Sequence, residues 1–149
     1  IKSNMIQMTE RLEGYKSALK KNKISFDKDL VLQVPFLPAM EGAMEKIKSF
    51  IALHQKDVDA IFFATNYLGI LGLECISDFD IAIPDDIAIA SFDDHDLFRI
   101  YKPGVTVVAQ PIEQLANKAI DLLLYLIENN PAEVKQTRIV PELILRGSA

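Results

Sequence analysis

The sequence predicts an α/β fold built on a doubly wound parallel sheet. Short apolar runs alternate along the chain with longer segments in which apolar residues recur every three or four positions. Buried strands of parallel sheets are near-continuous apolar runs, whereas amphipathic helices have the longer period. Elements alternating in this way form βα units joined by right-handed crossovers. A chain of 149 residues, half of them apolar, can bury one good core, so we expect one domain or one lobe plus a fragment.

The first third of the chain predicts a helix, a strand and a second helix. Thr9 is a candidate cap for an amphipathic helix over about residues 9–22. Leu30–Val34 is a short apolar run that ends at a proline, which predicts a strand. Pro38 opens the second helix. The apolar positions of that helix share one face: Met40, Ala43, Met44, Ile47, Phe50 and Ile51.

The middle of the chain contains two buried strands. Residues 58–64 are almost continuously apolar, and Thr65 or Asn66 caps the helix that follows. Residues 83–86, Ile-Pro-Asp-Asp, form a predicted turn. Residues 87–92 then form a second apolar strand, which completes another βα repeat.

The last third contains a loop, two strands and the most apolar helix. A polar loop is expected over residues 93–104, followed by a strand over 105–109. Pro111 begins a helix that runs to 129. The final strand, about 137–146, contains Pro141, and a proline cannot donate to a ladder. That strand should therefore lie at an edge or carry a bulge.

Composition restricts the partners of the chain. Lys and Arg number 16 against 21 Asp and Glu, and the net charge of −5 disfavours direct contact with a phosphate backbone. The single Cys75 excludes an intramolecular disulfide and favours a reducing cytoplasm. No apolar run is long enough for a transmembrane helix. The sequence begins at Ile1, which suggests a segment of a longer protein.

Four residues follow predicted strands at the end where doubly wound sheets bind ligands. They are Phe36, Asn66, Asp93 and Gln110, one aromatic and three hydrogen-bonding side chains. Each also has a structural explanation. Phe36 can be core, Asn66 can be a helix N-cap, Asp93 can cap a turn, and Gln110 can bond to backbone at the start of the next helix.

The run Asp93-Asp94-His95-Asp96 contains residue types that bind metals or transfer protons. Adjacent residues after a strand point in different directions, so at most two of these side chains can converge. A glycine loop for phosphate and a nucleophile elbow are both missing from the sequence. The sequence therefore nominates no catalytic residue, no metal and no cofactor, although fold alone does not exclude an enzyme.

Four segments resemble, in order and spacing, the effector-binding domain of LacI/GalR-type transcriptional regulators. They are Glu10–Leu19, Ala64–Asn66, Ile83–Asp94 and Pro103–Pro111. The resemblance implies a two-lobed fold like that of type I periplasmic binding proteins. Residues 1–104 would form the C-terminal lobe. Residues 105–149 would supply the crossing strand and the helix and strand that return to the N-terminal lobe, and the DNA-binding domain would be absent from this chain.

The resemblance also implies an effector site. Arg11 matches the family's arginine that bonds to effector oxygens, and Phe36 matches an aromatic ring that packs on the ligand. Asn66, Asp93 and Gln110 match the remaining polar contacts. A guanidinium fork, a carboxylate and amides suit a sugar or a nucleobase. The sequence departs from the family where Tyr67 replaces the aspartate that usually follows the asparagine.

The function implied is effector sensing and dimerisation in a cytoplasmic bacterial regulator that reaches DNA only through its absent N-terminal domain. An alternative is a periplasmic sugar-binding protein with the same fold. The helix over 111–129 would lack its partners from the N-terminal lobe, so we expect its apolar face to repack on the C-terminal lobe, exchange with a neighbour or aggregate. Homodimer contacts would come from an apolar patch formed by Leu68, Leu71, Leu97, Phe98 and Tyr101.

Overall fold

From residue 40 onward, the described helices and strands alternate along the chain, as the sequence predicts for this part. A computed structural model describes residues 5–34, 40–129 and 136–149. The described helices are α1 (Ile6–Lys21), α2 (Met40–His54), α3 (Asn66–Asp78), α4 (Asp96–Ile100) and α5 (Ile112–Asn129). The strands are β1 (Ala60–Phe63), β2 (Ala88–Phe92), β3 (Thr106–Ala109) and β4 (Glu142–Ile144).

The four strands form one mixed sheet in the order β1-β2-β3-β4. β1, β2 and β3 are parallel, so their carboxyl ends lie at one edge of the sheet. The predicted parallel sheet is confirmed for these three strands, and β4 adds an antiparallel edge strand beside β3. Periodicity indicates a strand but carries no information on its direction. β4 is shorter than predicted and begins directly after Pro141, at an edge of the described sheet, as the proline predicts.

The core lies between α2, α3 and the parallel strands, and it includes Cys75. Two glycines of α3 allow close approach. A Cβ at Gly72 would lie 2.1 Å from Cζ of Phe63, and one at Gly69 would lie 2.8 Å from Cζ of Phe98. Contacts of that length are impossible, so α3 can pack this closely only because both positions lack a side chain.

The predicted polar loop over 93–104 contains the short helix α4. His95 caps this helix, because its Nδ1 accepts from the N–H of Leu97 at 3.1 Å. The turn directs Phe98 into the core, where it is 0% exposed. Phe98 is therefore not part of a surface patch, which corrects that member of the predicted dimer interface. The other four predicted members are half-buried: Leu68, Leu71, Leu97 and Tyr101.

The first two predicted elements differ in detail from the structure. α1 begins before Thr9, whose N–H already bonds to the Met5 carbonyl at 3.3 Å, so Thr9 is not the cap. The strand predicted over 30–34 is a 3-10 turn over Lys28–Leu30, followed by residues that join no described ladder. The Asp27 carboxylate fixes that turn by accepting from a backbone N–H. Phe36 lies outside the described residues.

α5 has nearly the predicted bounds, but its apolar face is exposed. Ile127, for example, is 70% exposed, and the described chain does not fold back to cover this face. Of the three predicted fates of this face, repacking on the C-terminal lobe is not seen among the described residues, and exchange with a neighbour or aggregation stays a prediction. Other exposed apolar residues of the helix are Ile112, Leu115, Ile120, Leu123 and Leu124. Within the described residues, the helices are all too short or too polar to cross a membrane.

Candidate functional site

Arg11 reaches from α1 to the carboxyl ends of β1 and β2. Its Nη1 donates to the carbonyl of Ala64 at 2.5 Å and lies 3.7 Å from Oδ2 of Asp93. Its Cζ stands 3.7 Å from the centroid of the Phe92 ring. Desolvation by burial lowers the pKa of Arg11, while the Asp93 charge opposes that shift. These contacts hold a partly buried cation at the edge of the sheet.

Asp93 adopts a left-handed backbone conformation at the end of β2, with φ of 69°. Few residues other than glycine do so, and aspartate is among the more tolerant. Its N–H donates to the Val108 carbonyl at 2.9 Å, and its Oδ1 accepts from Nε2 of Gln110. β2 and β3 are neighbours, so the residues that follow them meet. The sheet thereby joins Asp93, Gln110 and Arg11 in one cluster.

This cluster borders a cleft of about 600 Å³ between α1, the edge of the sheet and the start of α5. Its polar lining comes from Gln7, Glu10, Arg11 and Gln110. The other lining residues are Gly14, Tyr15, Ala18, Phe62, Phe92, Val108, Pro111, Leu115, Ile139 and Pro141. Apolar walls with a few directed polar groups are the usual design of small-molecule sites.

The structure brings three of the five predicted site residues into contact: Arg11, Asp93 and Gln110. Asn66 lies two residues beyond Ala64, and its Oδ1 accepts from the N–H of Tyr67 at 2.8 Å. The capping role belongs to Thr65, whose hydroxyl accepts from the N–H of Leu68 at 3.4 Å. Phe36, the fifth residue, lies outside the described part of the chain.

Sequence reasoning missed Phe92, whose ring packs against the Arg11 guanidinium and lines the cleft. The strand-end rule nominates residues that follow a strand, whereas Phe92 is the last residue of β2. Gly14 and Tyr15 were missed as cleft residues too. They follow Arg11 at spacings of three and four on α1, and that spacing was the available signal.

The acidic run after β2 serves several separate contacts. Asp94 accepts from both terminal nitrogens of Arg146, at 2.9 and 2.8 Å, and these hydrogen bonds lower the pKa of Asp94. Asp96 pairs with Arg99 on the surface. Among the described residues, no three His, Cys, Asp or Glu side chains are grouped so that they could hold a metal ion.

A family model described as "Periplasmic binding protein-like domain" matches residues 3–149, so the chain belongs to this family. One relative is the HTH-type transcriptional regulator MalR from Clostridium butyricum. It is 31% identical over 138 residues, which are 93% of this chain and 40% of the regulator. The HTH-type transcriptional repressor PurR of Photobacterium profundum is 29% identical over 93% of this chain and 41% of its own length.

Solved structures agree with these relatives. The transcriptional regulator CelR–cellobiose complex has a TM-score of 0.83 and 26% identity over 95% of this chain and 42% of that one. The transcription regulator GntR from Chromobacterium violaceum has a TM-score of 0.81 and 28% identity over 98% and 53%.

Within its family, the chain is therefore grouped with the LacI/GalR-type regulators, as its sequence motifs predict. These relatives are named as regulators rather than as enzymes or periplasmic transport proteins. The chain spans about two fifths of the length of the two sequence relatives.

Proposed function

We propose that this chain is the effector-sensing part of a bacterial transcriptional regulator and that its cleft binds a sugar or nucleobase-type effector. The observation that carries the proposal is the convergence of Arg11, Asp93 and Gln110 beside Phe92 at the cleft. The similarity to a regulator solved with cellobiose supports a small polar effector.

The cluster has hydrogen-bonding capacity for such an effector. A guanidinium has five N–H donors, and the described hydrogen bonds of Arg11 use one nitrogen. The Gln110 amide donates to Asp93 and keeps its carbonyl oxygen as an acceptor. The Asp93 carboxylate can accept from two hydroxyls, and the Phe92 ring can pack on an apolar ligand face. Asn66 and Phe36 complete the proposed effector-binding set.

In this proposal the lobes follow the family pattern. Residues 1–104 belong to the C-terminal lobe, and residues 105–149 supply the crossing strand and the return to the N-terminal lobe. An effector that binds one closure angle of the lobes more tightly shifts the regulator toward that state. The shift would reach DNA in the cytoplasm through an N-terminal domain outside this chain.

The ligand proposal is tested by thermal unfolding of the full-length protein with a panel of mono- and disaccharides and purine bases. A ligand at one hundred times its Kd stabilises the native state by about 2.7 kcal/mol. We expect at least one ligand to raise the Tm, and we expect Asp93→Ala and Arg11→Ala to abolish the rise. The matched control is Asp78→Ala, which removes an exposed pairing with Lys48. An undiminished rise in both site variants contradicts the assigned site, and a panel without any rise contradicts the proposed ligand class.

We further propose a homodimer formed through Leu68, Leu71, Leu97 and Tyr101, without the buried Phe98. These residues are half-buried within one chain, so they keep apolar surface for a partner. Light scattering at tens of micromolar should give twice the monomer mass, and Leu71→Glu should give the monomer. A wild-type protein that stays monomeric at this concentration contradicts the dimer.

A further inference from the structure

Arg146 forms a two-pronged contact with the residue next to Asp93. Its Nη1 and Nη2 donate to Oδ1 and Oδ2 of Asp94 at 2.9 and 2.8 Å. Nη1 also donates to the Val105 carbonyl at 2.8 Å. The Arg146 side chain is only 16% exposed and that of Asp94 is 26% exposed. A parallel fork of this kind fixes orientation as well as charge.

The backbone of Arg146 is itself held firmly. Its N–H donates to Oγ1 of Thr106 at 2.9 Å, and that hydroxyl donates to the Arg146 carbonyl at 3.2 Å. Two residues later, Ser148 is fully buried and donates to the Ile89 carbonyl at 2.6 Å. The segment after β4 is therefore fixed to β2 and β3, and it presents the guanidinium from a rigid base.

The position of Asp94 bears on the site because Asp93 precedes it in a left-handed conformation. L-residues relax from this region unless their surroundings hold them. The hydrogen bond from the Asp93 N–H to the Val108 carbonyl holds the backbone before the Asp93 Cα. The fork from Arg146 holds the next residue, Asp94, and so restrains the backbone after it. Without the fork, the partly buried Asp94 carboxylate would lose its charged partner. It would then turn to solvent and release the backbone that follows Asp93.

We propose that Arg146 is a positioning residue of the candidate site. It holds Asp94 in place and thereby keeps the Asp93 carboxylate on Gln110 and Arg11. Its effect on ligand affinity rests on the proposed function, but its effect on the Asp93–Gln110 contact does not.

The contact between Asp93 and Gln110 is measured by NMR in protein labelled selectively with 15N-glutamine. The side-chain amide signal of Gln110 is assigned by its loss in Gln110→Met, and its proton exchange with water is recorded. In Arg146→Met and Arg146→Lys we expect exchange to accelerate roughly tenfold, because the bond to the carboxylate is released. Lysine keeps the charge but cannot form the fork, so Arg146→Lys separates positioning from charge. The matched control is Arg99→Met, which removes an exposed guanidinium paired with Asp96 and should leave the exchange unchanged.

If the side-chain amide of Gln110 exchanges with water as slowly in a folded Arg146→Lys protein as in wild type, the proposal is overturned. If Arg146→Met fails to fold, Asp94→Asn replaces it, since that variant also removes the charged fork. For any sugar that the wild-type protein binds, Arg146→Lys should weaken the Kd roughly tenfold at temperatures where both proteins are folded. An unchanged Kd overturns the role in binding. A panel in which no sugar binds contradicts the proposed function instead, while the amide exchange still decides the role of Arg146.

Discussion

The two regions of the chain differ sharply in how they cover their apolar side chains. In the core region, residues 40–109, Phe98 and Ile76 are 0% exposed. In the α5–β4 segment, residues 112–144, Ile127 is 70% and Leu123 is 53% exposed. The periodic apolar face of α5 specifies a surface to be covered, but the part of the chain that the structure describes does not cover it. Stability should therefore depend on the core region, and the α5–β4 segment should respond weakly to substitution.

The largest difference is expected between one core residue and one residue of α5. Phe98→Ala removes a fully buried ring and leaves a cavity, so it should lower the free energy of unfolding by about 3–5 kcal/mol. Leu123→Ala removes a half-exposed side chain and should cost less than about 1 kcal/mol. Urea unfolding of both variants measures the difference. Equal losses would mean that α5 is buried in solution.

The next prediction concerns the junction between the two regions. Ser148 donates to the Ile89 carbonyl and accepts from the N–H of Thr106 at 2.8 Å, all in the interior. Ser148→Ala leaves both backbone groups without this partner, and we expect a loss of about 2–3 kcal/mol. Thr137→Ala, at an exposed position of the same end of the chain, should change little. A Tm equal to that of wild type in Ser148→Ala would show that the segment after β4 contributes no stability to the core.

A smaller effect is expected from the glycines. Gly72→Ala places a methyl group against the buried Phe63 ring and should cost about 1–3 kcal/mol. At Gly42 of α2, an added Cβ meets none of the described residues within 4 Å, so Gly42→Ala should stabilise the protein by about 0.5–1 kcal/mol. Chemical unfolding should show that Gly72→Ala lowers the free energy of unfolding and that Gly42→Ala raises it, if α3 packs as closely as described. A stabilising Gly72→Ala would show that Phe63 can move away.

The parallel strands and long helices were predictable because apolar periodicity reports directly on burial. The direction of β4 was not predictable, since an apolar run reads the same for a parallel and an antiparallel strand. The short helix that holds Phe98 was also missed, because its single turn lies in a polar stretch capped by His95. Periodicity needs more than one turn to be visible.

The candidate site was predictable in part for a related reason. Asp93 and Gln110 follow neighbouring parallel strands, so the strand-end rule brings them together, and the family resemblance supplied Arg11. Phe92 was missed because it belongs to a strand, and Arg146 was missed because it pairs with Asp94 across 52 residues of chain. No local pattern records a partner so distant.

The smallest expected effect is a pH dependence at the Asp94–Arg146 pair. The hydrogen bonds from Arg146 lower the pKa of Asp94 in the folded state. A carboxyl group with a lowered folded pKa contributes its full stability above its ordinary pKa of about 3.9. The contribution is lost as the pH falls through the lowered value. We expect Asp94→Asn to cost about 1 kcal/mol at pH 7 and progressively less as the pH falls toward the lowered pKa.

Thermal unfolding of wild type, Asp94→Asn, Arg146→Met and the double variant between pH 2.5 and 7 measures this dependence. Since either single substitution removes the pair, both losses should shrink toward the acid end, that of Arg146→Met only down to the cost of its lost bond to the Val105 carbonyl. The double variant should cost less than the sum of the two at pH 7. Strictly additive losses at pH 7 would mean that the fork between β4 and the end of β2 contributes no coupling energy. The α5–β4 segment would then be joined to the core region through Ser148 and the β3–β4 ladder, without a contribution from charge.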